Sequence, residues 1–146
     1  MSFEIDLKGA AKGAIIGGLG AGVFCVGMYF VGSAVGATYA PRDPVAMGMT
    51  VIPFFQPVIS CFMSALAALG VLALLKKLAP TKAWNIFLVL TVLVFIGEIY
   101  APFWAFSDVK TVIVLELMHL PATLGIVGGI SRFGIKPAPV AVAVPA

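Results

Sequence analysis

Charged residues are scarce in this sequence. They make up 10% of the 146 residues, whereas 62% are hydrophobic and the mean hydropathy is +1.14. A soluble domain carries roughly 25% charged residues. So few charges cannot form a polar surface, which excludes a soluble globular domain and indicates a protein whose solvent is lipid. The net charge of +3 is too small and too scattered to indicate a nucleic-acid partner.

Residues that hold cofactors or perform catalysis are also few. The single histidine excludes a bis-histidine haem within one chain. Cys25 and Cys61 have no paired spacing and fall in apolar runs, so neither a disulfide framework nor a zinc motif is indicated, and both are expected to be small buried thiols. Phosphate-binding glycine loops and nucleophile elbows are missing. We therefore expect no cofactor and favour a protein that is not an enzyme.

Long apolar runs are what the sequence does contain. Four of them are long enough to cross a bilayer core, which needs about 20 residues. Backbone groups in lipid must be hydrogen-bonded internally, so the runs are expected to be helices. We predict an all-α, four-helix transmembrane bundle in one domain, residues 1–135, followed by a flexible cytoplasmic tail over 136–146. The predicted helices cover about 13–37, 46–75, 83–106 and 111–131.

The basic residues predict how this bundle is oriented. Seven fall on the side that holds both termini, and only Arg42 and Lys110 fall on the other. Loops rich in lysine and arginine remain on the cytoplasmic side. Both termini are therefore predicted to be cytoplasmic, in a multi-pass protein of the cell membrane. The seven basic residues are Lys8, Lys12, Lys76, Lys77, Lys82, Arg132 and Lys136.

The first predicted helix is rich in glycine and contains two G-x-x-x-G patterns. Gly18 and Gly22 form one, and Gly32 and Gly36 form the other. Small residues allow membrane helices to approach closely. We expect these glycines to pack helices within one chain. The alternative is a seam in a homo-oligomer or a larger membrane complex, with the lipid bilayer as the other partner.

Polar side chains on three of the predicted helices fall at nearly one depth, in the outer half of the bilayer. At 1.5 Å per residue, Gln56, Glu98, Glu116 and His119 lie about 9 to 16 Å below the outer surface, and Thr123 continues the face of His119. Ionisable groups in a membrane are costly and mark functional sites by default. The layer is therefore either a site for a proton or a polar ligand, or hydrogen-bonding glue between helices.

The spacing of Glu116 and His119 also occurs in di-iron bundles, where two E-x-x-H motifs and two further glutamates bind the metals. This chain has one such motif and one further glutamate, which is half of that set. Only a symmetric dimer could complete it. We therefore predict no metal site.

Three short motifs carry a resemblance to a known group of proteins. They are P-x-x-x-G-M-T from Pro44 to Thr50, Ala83–Trp84 after the basic turn, and L-M-H-L from Leu117 to Leu120. In these motifs, and in the order of its elements, the chain resembles a family of small uncharacterised four-helix bacterial membrane proteins, a domain of unknown function. The resemblance implies a bacterial cytoplasmic-membrane protein in which His119 is the family-like polar residue. It implies no activity.

Two functions are compatible with these features. We expect a membrane-embedded interaction or accessory subunit. The alternative is a membrane protein that handles a small molecule or protons through the layer formed by Glu98, Glu116 and His119.

Overall fold

Helices dominate the computed structural model, which describes residues 3–137. Four of its five helices are long and apolar enough to cross a membrane, and this confirms the predicted four-helix transmembrane architecture. The elements in chain order are β1 (Phe3–Ile5), α1 (Leu7–Ala34), the short α2 (Pro44–Met47), α3 (Gln56–Leu78), α4 (Ala83–Ala105), α5 (Val109–Gly134) and β2 (Ile135–Pro137).

Glycines bring α1 and α5 into backbone contact along the halves of these helices that lie nearest the two ends of the chain. A Cβ atom added at Gly13 would overlap the carbonyl group of Gly129, and one added at Gly17 would overlap the carbonyl oxygen of Gly125. The contact is reciprocal, because a Cβ added at Gly129 would overlap the Gly13 carbonyl oxygen. Only glycine permits this separation. The α1–α5 pair is therefore the tightly packed centre of the bundle.

The four glycines predicted to pack helices differ in what they contact. Gly18 and Gly22 face α3: an added Cβ would lie 2.9 Å from the Ala65 Cβ and 3.0 Å from the Val58 Cα, respectively. Gly32 is buried, and a Cβ there would overlap the Tyr39 hydroxyl. Gly36 is a correction to the prediction. It lies beyond the end of α1 with φ +90°, so it forms a turn and does not pack helices.

The second predicted helix, 46–75, is broken in the structure. The short α2 ends at Gly48, whose φ of +65° is left-handed, and α3 begins only at Gln56. Pro53 cannot donate a backbone hydrogen bond and disfavours a helical residue before it, which explains the gap. Pro57 is tolerated because it occupies the first turn of α3. The prediction of a continuous helix from residue 46 was therefore wrong.

The two chain ends are joined in a small sheet that the sequence did not predict. Strands β1 and β2 pair antiparallel, with Phe3 opposite Pro137 and Ile5 opposite Ile135. Lys76 at the end of α3 donates its Nζ to the Ile5 carbonyl at 2.7 Å. The first two residues of the predicted flexible tail therefore belong to a strand, and the rest of that tail lies outside the described residues.

The opposite end of the bundle is closed by hydrogen bonds around Asp108 and Tyr39. Asp108 caps α5 and accepts from the Thr111 hydroxyl at 2.6 Å and from the Thr38 backbone at 2.9 Å. These bonds hold the pKa of the Asp108 carboxyl well below its usual range. Tyr39 is buried, stacks on Tyr29 with ring centroids 4.1 Å apart, and donates to the Tyr29 carbonyl. Burial raises the Tyr39 pKa to about 12.

Candidate functional site

A cleft of about 690 Å³ lies between α3, α4 and α5, with Cys25 of α1 among its lining residues. It exists because α4 is attached mainly at its ends. The buried residues of α4 are Ala83, Trp84 and Phe87 near its first residue and Pro102 near its last. No residue of α4 between Phe87 and Pro102 is buried. The volume falls within the range of roughly 300–1,000 Å³ that small-molecule sites occupy.

The break before α3 places its first residue deep in the bundle. Because Val58 packs against Gly22, and Gly22 lies twelve residues before the outer end of α1, Gln56 is about 15 Å below that end. The segment 48–55 descends to this depth through turns and bends, outside the helices. It is held by a bond from the Ile52 backbone to the Tyr39 carbonyl, 2.9 Å, and by one from the Tyr29 hydroxyl to the Ile52 carbonyl, 2.8 Å. The positive end of the α3 dipole therefore lies next to the cleft.

The structure brings four of the five predicted site residues to this cleft. Gln56, Glu98, His119 and Thr123 line it, and Ser60, Ser64 and Thr91 add further hydroxyl groups. Glu98 lies seven residues before the outer end of α4, about 10 Å deep, which agrees with the level of Gln56 and His119 to within a helical turn. The remaining walls are mostly apolar. The cleft thus combines an apolar interior with a few polar groups.

Glu116 is the predicted site residue that does not line the cleft. It lies one turn from His119 on α5, on the face that continues through Val112, and it is half-buried. Its Oε1 atom and the Nδ1 atom of His119 are both buried, and within residues 3–137 neither has a hydrogen-bond partner. Buried polar atoms without a partner are uncommon and call for an explanation.

Hydrogen bonds between helices do not account for the polar layer. In the described part of the chain, the side chain of Gln56 bonds to Ser60 of the same helix at 3.5 Å, and that of Thr91 bonds to the Phe87 carbonyl one turn earlier. None of the described hydrogen bonds joins Glu98, His119 or Thr123 to a neighbouring helix. Residues 3–137 contain no group of three histidine, cysteine or acidic side chains placed to hold a metal ion.

The two cysteines are cleft residues that sequence reasoning missed. Cys25 and Cys61 are both free, buried and part of the lining, although they lie 36 positions apart on different helices. Each falls in an apolar run, where a buried thiol is the usual interpretation. The sequence signal that could have indicated these two lining residues is the pair of prolines around Gln56, because a break in the helix changes which residues of α3 lie opposite α1.

The fold defines a multi-pass membrane protein built from four apolar helices, and the cleft lies between three of these helices. Residues 6–134 match a family of unknown function, DUF6069, and the chain belongs to that family. This confirms the resemblance inferred from the sequence. No curated protein and no solved structure has significant similarity to the chain.

Proposed function

We propose that this protein binds an amphiphilic small molecule taken from the surrounding membrane, in the cleft between α3, α4 and α5. The observation that carries the proposal is a cavity of about 690 Å³ with mostly apolar walls and a cluster of polar side chains at one level. The apolar walls suit a hydrocarbon or ring system. Gln56, Glu98 and His119 are the groups that would hydrogen-bond its polar head.

The hydrogen bonds described in the polar layer support this function over hydrogen-bonding glue. Glue requires bonds that join two helices, whereas the described side chains of Gln56 and Thr91 bond within their own helices. A ligand head group at this level would meet the polar side chains that line the cleft. The binding energy would then come from burying apolar surface, while the polar groups set the orientation of the ligand.

The proposal is tested by filling the cleft. Purified protein in lipid nanodiscs is titrated with an acylated aminonaphthalene, whose fluorescence rises in apolar surroundings. Ala122 lines the cleft, so Ala122→Trp should abolish saturable binding. Leu124 lies two residues further on the same helix and is 62% exposed, so Leu124→Trp is the matched control and should bind normally.

A second variant separates the polar head from the apolar walls. His119→Leu preserves the approximate volume of the side chain but removes its hydrogen-bonding atoms, so affinity should fall by about tenfold, the equivalent of one lost hydrogen bond of about 1.5 kcal/mol. Equal binding by the wild type and the Ala122→Trp variant would refute the site. Unchanged affinity in His119→Leu would remove the imidazole from it.

A membrane-embedded accessory subunit is the second candidate, and the exposed middle of α4 is the surface that a partner helix would cover. The middle of this helix shows large apolar side chains to the surroundings: Val92, Leu93 and Val94 are each 57–59% exposed. Lipid covers such a surface as well as a partner helix does. Failure of the naphthalene to bind, together with a stable heteromeric complex recovered in mild detergent, would support the accessory function.

We also propose that the protein lies in the cytoplasmic membrane of a bacterium with both termini inside. The pairing of β1 with β2 and the bond from Lys76 to Ile5 gather the seven basic residues at one end of the bundle. Arg42 and Lys110 lie at the other end, where they donate to the carbonyl oxygens of Phe103 and Val35. This asymmetry supports an inner face at the strand-bearing end.

A further inference from the structure

The interior of the bundle contains more acidic than basic groups. Lysine and arginine lie near the two ends of the bundle, and none falls within 13–34, 56–75, 83–105 or 111–131. These stretches hold two carboxyl groups, those of Glu98 and Glu116, and one imidazole, that of His119. Even with the imidazole protonated, two carboxylates would outnumber it. The interior therefore favours a cation over an anion as a guest.

Glu98 is the carboxyl group that lines the cleft, and its side chain is half-buried on α4. Among residues 3–137, no lysine or arginine forms an ion pair with it. Arg42 and Lys110, the basic residues at the outer end of the bundle, donate their side chains to backbone carbonyl groups instead. An ionised carboxylate inside a membrane is costly unless a group of opposite charge accompanies it. The cleft thus presents a carboxyl group that a cation from outside the chain can pair with.

The first turn of α3 would favour an anion in the cleft only if its backbone N–H groups were free, because anions bind helix ends through such groups. They are bonded within the chain. The Gln56 N–H donates to the Pro53 carbonyl at 2.9 Å. The N–H groups of Val58 and Ile59 both donate to the Phe55 carbonyl, and the proline before Val58 has no N–H. This helix end therefore does not counteract the preference of the cleft for a cation.

We propose that the amphiphile bound in the cleft is a lipophilic cation, whose positive head pairs with the Glu98 carboxylate. The inference rests on the proposed function, because it requires that the cleft bind an amphiphile, and it adds the charge of that amphiphile. Phe95 lies one turn before Glu98 and also lines the cleft, and aromatic rings attract cations. The Gln56 Nε2 donates to the Ser60 hydroxyl at 3.5 Å, which leaves the amide oxygen as an acceptor for a positive head group.

The test compares two ions of nearly equal shape and opposite charge. Tetraphenylphosphonium and tetraphenylborate each carry four phenyl rings around one central atom, so apolar walls alone cannot distinguish them. Each ion, radiolabelled, is titrated into full-length protein in nanodiscs of a zwitterionic lipid, and uptake by protein-free nanodiscs is subtracted. The phosphonium should bind saturably, and Ala122→Trp, which fills the cleft, should abolish that binding. The borate should bind wild type no better than it binds Ala122→Trp.

Glu98→Gln tests the carboxylate, because it removes the charge and nearly keeps the size of the side chain. Relative to the affinity for the uncharged acylated naphthalene, the phosphonium affinity should fall at least about tenfold, since one partner of a charge pair is lost. Glu116→Gln is the matched control. It removes the other carboxyl group of the interior, which does not line the cleft, so the same ratio should change less than about threefold.

The outcomes separate the charge of the ligand from the existence of the site. Borate bound as tightly as phosphonium, with the naphthalene still bound, would overturn the inference and leave the proposed function standing. An equal loss of phosphonium affinity in the two glutamine variants would overturn it in the same way. The comparison of the two ions on wild type decides the matter even where Glu98→Gln does not fold. Loss of saturable binding for all three probes would refute the proposed function itself.

Discussion

Replacing Gly13 by alanine tests the close packing of α1 against α5. The added methyl group would overlap the Gly129 carbonyl group and lie 3.0 Å from the Ile130 backbone nitrogen. These neighbours are backbone atoms of a helix, so they cannot rotate away as the end of a side chain would. Overpacking costs about 1–3 kcal/mol. Alanine regains about 1 kcal/mol of helix propensity over glycine, so we expect a net loss of up to about 2 kcal/mol.

Gly20→Ala is the matched control, because Gly20 lies on the same helix and no atom is within 4 Å of its added Cβ. Only the propensity term acts there, so stability should be unchanged or rise by up to about 1 kcal/mol. The two variants should therefore differ by the overpacking cost, about 1–3 kcal/mol, which is roughly a 5- to 150-fold change in the unfolding equilibrium. Unfolding by rising SDS in mixed micelles, followed by circular dichroism, measures this difference. Equal midpoints for both variants would refute the backbone contact between α1 and α5.

Three further predictions concern orientation, the outer cap and metal content. An impermeant maleimide is added to intact cells that express single-cysteine variants without the native cysteines. It should label a cysteine at Val45, which is 91% exposed, and should not label one at Lys82. The reverse labelling pattern would show that the termini are outside. Tyr39→Phe removes the 2.8 Å bond to the Tyr29 carbonyl and should cost about 1 kcal/mol of unfolding free energy, whereas Tyr100→Phe, at a 62% exposed position, should cost nothing measurable. Protein purified without chelators should contain no stoichiometric transition metal by elemental analysis; about one ion per chain, lost in His119→Ala, would contradict this.

The sequence by itself determined the membrane class and the number of long helices. These follow from composition and from the fixed rise of a helix, which are properties of single segments. Gln56 lies beside the other polar side chains of the cleft even though its helix begins ten residues later than predicted, because the chain descends through turns and bends over 48–55.

Tertiary structure alone decided which polar residues share the cleft and that both thiols line it. Glu116 and His119 are one turn apart on α5, yet only His119 lines the cleft, because α4 is attached at its ends and leaves a gap opposite one face of α5. Cys25 of α1 and Cys61 of α3 both line the cleft, and Gly18 and Gly22 allow these two helices to approach closely. Helical periodicity gives the direction of a side chain about its own axis, but the partner on the next helix depends on how the helices are shifted and rotated against each other. That arrangement follows from packing contacts between residues distant in the chain, which no single segment encodes.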